Sequence, residues 1–226
     1  ARRYNREDID ELVILDITAT LERRRALAET IRAVAKELFI PLAVGGGIRT
    51  EDDAAAAVDA GADKVSLNTA ALKDPELITT LANRYGSQAV LVAIVAKKEN
   101  DRFAVYVRSG QSLTNRDAVE WAQEAEARGA GEILLTWTDR DGTKVGFHCE
   151  LTAAVSQAVS IPVIASGGAG GLLDFVDLFT TGIADAALVA WLFARSAGSR
   201  FVVRITCSRI RFPLRVRGRT AVDFRR

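Results

Sequence analysis

Two glycine clusters are the residues best placed to do chemistry in this chain. Ile40-Pro-Leu-Ala-Val-Gly-Gly-Gly47 and Ile161-Pro-Val-Ile-Ala-Ser-Gly-Gly-Ala-Gly170 each read as a short apolar run that stops at a glycine turn. A fully buried parallel strand has this pattern. Glycines at its end let the backbone turn sharply and leave N–H groups open to an anion such as a phosphate. Three carboxylates join them: Asp16 at the end of an apolar run, and Asp139 and Asp141 in the polar stretch Asp139-Arg-Asp-Gly-Thr143. Acids beside such a pocket can orient a substrate or move a proton. The plain alternatives are that the glycines only permit tight turns, and that Asp139 orders its loop by pairing with Arg140.

The elements that must position these residues come in two copies. A shift of 121 residues lays one glycine run on the other, and Glu11-Leu-Val-Ile-Leu on Glu132-Ile-Leu-Leu-Thr. It also lays Gly61-Ala-Asp-Lys-Val loosely on Gly182-Ile-Ala-Asp-Ala, with the hint of a one-residue insertion near Ile183. A period this long is half of a domain used twice, not a solenoid unit. Apolar runs predict strands over 11–17, 41–44, 64–67, 89–96, 132–136, 161–166 and 186–190. Helical spacing predicts helices over 21–38, 150–159 and 172–180. Thr50 with its following acids, Asp74-Pro75 and Asn115 are expected to open three more, the last running through Ala127. Phe103-Ala-Val-Tyr-Val alternates and reads as one arm of a hairpin.

Strand–helix alternation with apolar strands means a parallel α/β sheet. A doubled half-domain with glycine loops at strand ends favours a (β/α)8 TIM barrel over an open sheet. The count stops at seven strands, and the alternation begins at what would be the second. Each glycine loop has a companion at the start of the element after the next strand: Asn68-Thr69 in one half, Ala190-Trp191 in the other. Strand-end glycines plus a helix start make a phosphate cradle. Two cradles on one rim suggest a ligand with a phosphate at each end.

Composition excludes several classes. With 49% apolar and 26% charged residues, the chain of 226 has the makeup of one globular domain and not of a disordered or fibrous one. The longest apolar run, 89–96, is far too short for a membrane span of ~20 residues. The first residues are polar and charged, so no secretory leader is read there. Cys149 and Cys207 could form at most one bridge, so a reduced, cytoplasmic setting is expected. His148 beside Cys149 lacks further ligands at metal spacing, and no metal is expected.

The joint set of motifs resembles the cyclase subunit of imidazole glycerol phosphate synthase, of the histidine pathway. The resemblance is carried by Leu15-Asp-Ile-Thr-Ala19, Val44-Gly-Gly-Gly-Ile48, Ala62-Asp-Lys-Val-Ser-Leu-Asn-Thr-Ala70 and Ala130-Gly-Glu-Ile-Leu-Leu-Thr136. Asp139-Arg-Asp-Gly-Thr143 and Ile164-Ala-Ser-Gly-Gly-Ala-Gly170 continue it, and it covers residues 8–194. The sister isomerase of the pathway shares the glycine loops but is not expected to share the Asp-Arg-Asp-Gly-Thr loop.

What the resemblance implies is a ribulose-phosphate-binding TIM barrel that is a carbon–nitrogen lyase. It uses ammonia from a glutaminase subunit, in a heterodimer, and needs no cofactor. Its substrate is a bis-phosphate, a ribulosyl-formimino carboxamide nucleotide, converted into imidazole glycerol phosphate and aminoimidazole carboxamide ribonucleotide. Gly46, Gly47, Asn68, Thr69, Gly142, Gly167, Gly168, Ala190 and Trp191 are then the expected phosphate and substrate contacts, with Asp16 and Asp141 as the catalytic rim carboxylates. Glu11, Lys64 and Glu132, at strand starts, match three members of a charged ring that gates ammonia in the family, and Asp63 is a candidate for the docking surface. A solvated rim of charge is the plain reading of the same residues. The fourth, basic member belongs on the absent first strand.

The chain also departs from the family. One acid/base aspartate belongs on that first strand, and the other belongs where this chain has Ala93-Ile94-Val95-Ala96. Valine moves no proton, and general acid–base groups contribute roughly 10²–10⁴ in rate, so weak cyclisation or none is expected. Trp137 and Trp191 stand where serines are expected, crowding the rim or filling core. The barrel is read as 1–194, and 195–226 as a separate basic tail with ten Arg and one Asp, net +9, against −8 for the rest. A chimeric or frame-slipped end, a relocated first strand and a nucleic-acid arm compete as readings of this tail, and the arm lacks interleaved stacking aromatics. A seven-stranded parallel sheet leaves two edges with unpaired backbone. The unassigned extended segment over 201–216 is therefore expected to lie against the gap, its arginines towards solvent.

Overall fold

The computed structural model describes residues 9–16, 28–108, 110–189 and 201–206, the last segment by its backbone. Its elements in order are β1 (Glu11–Leu15), α1 (Ala28–Ala35), β2 (Leu42–Gly45), α2 (Glu51–Asp59), β3 (Lys64–Leu67), α3 (Thr69–Lys73) and α4 (Glu76–Tyr85). There follow β4 (Val90–Glu99), β5 (Arg102–Val107), β6 (Ser112–Asp117), α5 (Ala118–Ala127), β7 (Glu132–Trp137) and α6 (Cys149–Ala158). The last are β8 (Val163–Ser166), α7 (Leu172–Asp177), β9 (Ala186–Val189) and β10 (Phe201–Thr206).

Seven strands run parallel in the order β1, β2, β3, β4, β7, β8, β9. The place between β9 and β1 is taken by β10, antiparallel to both. Eight strands therefore close a ring, with the pairing of β3 to β4 completing it. The gap expected beside β1 is filled by the first residues of the extended segment 201–216. Val203 is the hinge of the register, opposite Leu12 on one side and Val189 on the other.

Alternation sorts the side chains. Val13, Ala43, Leu91, Leu134, Ile164, Ala186 and Leu188 form one buried cluster inside the ring. Their neighbours in sequence, such as Leu12, Val44, Val92, Ile133 and Leu135, join the larger cluster that packs the strands against the helices. These strands are apolar on both faces because both faces are covered.

Helix starts follow their caps. Thr50 accepts from Asp53 N at 3.2 Å, and the Asp53 carboxylate returns the bond to Thr50 N at 3.2 Å, a reciprocal box that fixes α2. Asn115 does not cap α5. It lies within β6, which stays paired to β5 as far as Asp117, and Asp117 accepts from Val119 N at 2.8 Å instead. The strand ladder holds Asn115 in extended conformation, and an equally good cap stands two residues on. The hairpin arm at Phe103 is confirmed as β5, paired to β4 and β6. Of the helix expected over 21–38, α1 is described, and 17–27 lies outside the described residues.

Candidate functional site

The two glycine loops leave the C-terminal ends of β2 and β8 with matching backbones. Gly46 and Gly47 have φ of 89° and 78°, and their repeat partners Gly167 and Gly168 have 90° and 99°. Side chains rarely adopt this region. Space forbids them too: a Cβ on Gly46 would sit 2.2 Å from the Asp16 carbonyl oxygen, and one on Gly167 2.6 Å from that of Trp137. Asp16 and Trp137 are themselves repeat partners, so each loop is pressed against the end of the preceding barrel strand of its own half.

The halves diverge beyond the turn. Gly168 is covered by the loop after β7: Gly146 N donates to Gly168 O at 2.8 Å, and a Cβ on Gly168 would meet Gly146 O at 2.2 Å. Gly46 and Gly47 instead open onto a cavity of about 400 Å³, with Ser66, Asn68 and Thr69 on its walls. Three cations also line it, Arg49, Lys73 and Arg108, against one carboxylate, Asp74. Ala190 and Trp191, the companions in the second half, lie outside the described residues.

The carboxylates sit on the same rim in different settings. Asp16 is buried, its N–H bonded to Gly45 O at 2.9 Å. Asp141 and Gly142 are exposed on the loop after β7, and Gly142 takes a φ of 73° with open space around it. Arg140 does not pair with Asp139. Its guanidinium turns inward to donate to Phe147 O at 2.8 Å, and Asp139 faces Lys97 at 3.8 Å. Lys97 is two residues beyond Val95 on β4, so both point to one side of the strand. The Lys97 ammonium also lies 4.8 Å from the centre of the Tyr106 ring, and Tyr106 is the cross-strand partner of Val95. Val95 therefore stands among polar groups at the barrel mouth.

Trp137 is core. It is buried, stacks on His148 with ring centres 4.0 Å apart, and meets Phe103 edge-on at 6.1 Å. His148 caps α6, its Nδ1 accepting from Leu151 N at 3.1 Å. Burial, and then the Arg140 charge, hold its imidazole below the usual range. Burial pushes the Cys149 thiol up. Among the described residues no group of three His, Cys, Asp or Glu is arranged to hold a metal ion.

At the opposite end, Lys64 Nζ donates to Glu11 Oε2 at 2.7 Å and to Glu132 Oε1 at 2.9 Å. These residues open β3, β1 and β7. Each carboxylate is two strands away from Lys64 in the ring, so the bridge crosses the barrel floor. The Glu11 side chain is 5% exposed and that of Lys64 16%, which makes this an enclosed bridge and not a solvated rim. Asp63 is exposed, yet its carboxylate accepts from Leu42 N at 2.8 Å. Asp185 does the same for Val163 N at 3.0 Å. The pair shows the inserted residue near Ile183: Ile183 takes a left-handed φ of 56°, absorbing the extra residue before β9.

Lys97, Lys73, Arg49 and Arg108 were not legible as rim residues. Lys97 could have been found from its i+2 spacing to Val95. Arg108 reaches the cavity through the β5–β6 turn, which no local pattern ties to Gly46.

An eight-stranded ring with helices outside and glycine loops at the strand ends is an α/β barrel of the TIM kind. The family model described as histidine biosynthesis protein matches residues 1–197, and the chain belongs to this family. Curated relatives are named "Imidazole glycerol phosphate synthase subunit HisF". The one from Acidobacterium capsulatum is 60% identical over 193 residues, covering 85% of this chain and 76% of the relative. That from Alkaliphilus metalliredigens is 54% identical over 194 residues, with 85% and 77% covered. That from Myxococcus xanthus is 55% identical over 190 residues, with 84% and 75% covered.

Proposed function

We propose that this chain is a cyclase-type barrel of imidazole glycerol phosphate synthase, that it binds a bis-phosphate substrate across its C-terminal rim, and that its turnover is limited by the residue at position 95. The observation that carries the reading is the duplicated glycine loop, with Gly46–Gly47 and Gly167–Gly168 in the same backbone conformation at repeat-equivalent positions. Such loops at the C-terminal ends of barrel strands are where phosphates are held. Asn68 and Thr69 support the first cradle from the wall of its cavity. Gly167 and Gly168 floor the second, to which the sequence repeat also assigns Ala190 and Trp191, with Asp141 and Gly142 holding the substrate between them. Asp16, buried beside Gly46, orients the near phosphoribosyl end.

The reaction needs ammonia and proton transfer. A glutaminase subunit docked at the floor is the source of ammonia, and the bridge Glu11–Lys64–Glu132 is the gate it passes, with Asp63 on the docking face. Val95 cannot accept or donate a proton, so the chain positions substrate better than it turns it over. In this reading it works in the cytoplasm, where Cys149 stays a free thiol.

The test is steady-state turnover of the purified chain with ammonia and the bis-phosphate. Rates well below those of an Acidobacterium-type relative are expected. Val95→Asp alone restores little, because the family's second acid/base aspartate belongs on a strand whose place between β9 and β1 is taken here by β10. Full turnover by the unmodified chain would refute the limit placed on position 95. Binding is tested separately: inorganic phosphate should raise the melting temperature by mass action, and Gly47→Val should abolish the effect.

A further inference from the structure

We propose that Arg108, delivered by the β5–β6 turn, and Lys73, on α3, are side-chain contacts to the phosphate bound at the Gly46–Gly47 cradle, making this the tighter of the two phosphate sites. The proposal rests on the phosphate reading of that cradle and adds to it two residues that neither the glycine motifs nor the repeat identifies.

Three observations converge. Both residues line the cavity onto which Gly46 and Gly47 open, together with Asn68, Thr69 and Arg49. Among the described residues neither Arg108 nor Lys73 has an ion-pair partner, whereas Lys64, Arg84, Arg116 and Arg128 are all paired. Two uncommitted cations on one concave, glycine-floored wall match a dianionic ligand. Arg108 is also held there. Its φ is 51°, a left-handed conformation that costs a residue with a Cβ, and its N–H points to Thr69 Oγ1 at 3.4 Å. The turn thus accepts local strain where it brings an arginine to the wall of the cradle's cavity.

Among the described residues the second half offers no such pair. Its glycine loop is covered by Gly146, and the nearby Arg140 is committed to the carbonyls of Gly146 and Phe147. A planar guanidinium with five donors suits a phosphate oxygen pair, and Lys73 adds a point charge. The ligand class is a phosphate monoester or inorganic phosphate, both presenting a dianionic terminus.

The experiment is calorimetric titration of the full chain with inorganic phosphate at two ionic strengths. Arg108→Gly keeps the left-handed backbone and removes the charge. It should raise the phosphate Kd about tenfold, as the loss of one charge-assisted contact does, and flatten the salt dependence. Arg108→Lys should stay within about threefold of the parent, retaining charge without the fork. Lys73→Ala should weaken binding several-fold on its own. Should Arg108→Gly melt lower than the parent without phosphate, Arg108→Lys and Lys73→Ala carry the test, since neither touches the turn backbone. Parent-like binding by Arg108→Gly and Lys73→Ala, with binding lost in Gly47→Val, overturns this proposal and leaves the cradle standing. Parent-like binding by Gly47→Val as well overturns the phosphate reading of the cradle itself.

Discussion

Val203→Pro is a sharp probe of how this barrel closes. Val203 pairs with Leu12 of β1 and with Val189 of β9, so β10 is flanked on both sides. In such a strand every backbone N–H faces a neighbour, and proline has none to give. The lost ladder bond and the carbonyl it leaves unpaired together cost about 3 kcal/mol. For a chain of 226 residues each kcal/mol moves the melting temperature by roughly 2–4 °C, so a drop of about 6–12 °C is expected. Calorimetry gives the melt, and hydrogen exchange at Val13 and Ala187, on the strands either side, reads the pairing directly. Ending the chain after residue 196 removes β10 altogether. It should broaden the melt and promote self-association through the two bared edges. A proline variant melting within about 1 °C of the parent, with unchanged exchange at both strands, would refute the closure.

Other outcomes follow from the same contacts. Lys64→Met should lower the melting temperature by about 6–12 °C, because removing one partner of an enclosed pair leaves Glu11 and Glu132 facing each other, a loss of about 3 kcal/mol; a scanning-calorimetry shift under 2 °C would make the bridge incidental. Ile183→Gly should raise it by about 2–8 °C, since Gly escapes the roughly 1–2 kcal/mol that a Cβ costs in the left-handed region, and thermal melts decide the sign. His148 has a folded pKa below its unfolded one, so the unfolded chain takes up the proton first. Its contribution is present above the ordinary imidazole range and is lost as pH falls through the folded value. Urea melts of the parent should therefore weaken from pH 7 to pH 5 more than those of His148→Asn, which keeps a cap acceptor and does not titrate; parallel curves would count against it.

Much of this was legible in the sequence, for a physical reason. Strands covered on both faces must be apolar throughout, so β1, β2, β3, β4, β7, β8 and β9 announce themselves. Glycines at positive φ with no room for a Cβ cannot be replaced cheaply, so Gly46 and Gly167 do too. The cap at Asp117 was misplaced by two residues because Asn and Asp cap alike, and only the pairing of β6 decides between them. The guanidinium of Arg140 went unread because its partners are carbonyls, which leave no mark in the residue types. The polar wall of the cavity went unread because Arg108, Lys73 and Gly46 meet only when the barrel curls.

The two halves of the barrel share a backbone and differ in what it carries. Glu11 and Glu132 are repeat partners, and both accept from Lys64. With the insertion at Ile183 counted, the repeat partner of Lys64 is Ala186, buried inside the ring. One cation thus serves both carboxylates, and the symmetry of the floor is broken at this position. The rim breaks in the same way. Asp16 and Trp137 both back a glycine loop, but one brings a carboxylate and the other an indole stacked on His148. The loop after β7 then folds over Gly168, while the corresponding cradle at Gly46 stays open beside three cations. Duplication supplies the turns and the close approaches. Function in each half depends on which side chains the duplicated turns present, and the phosphate site proposed above lies in the open, cation-lined half.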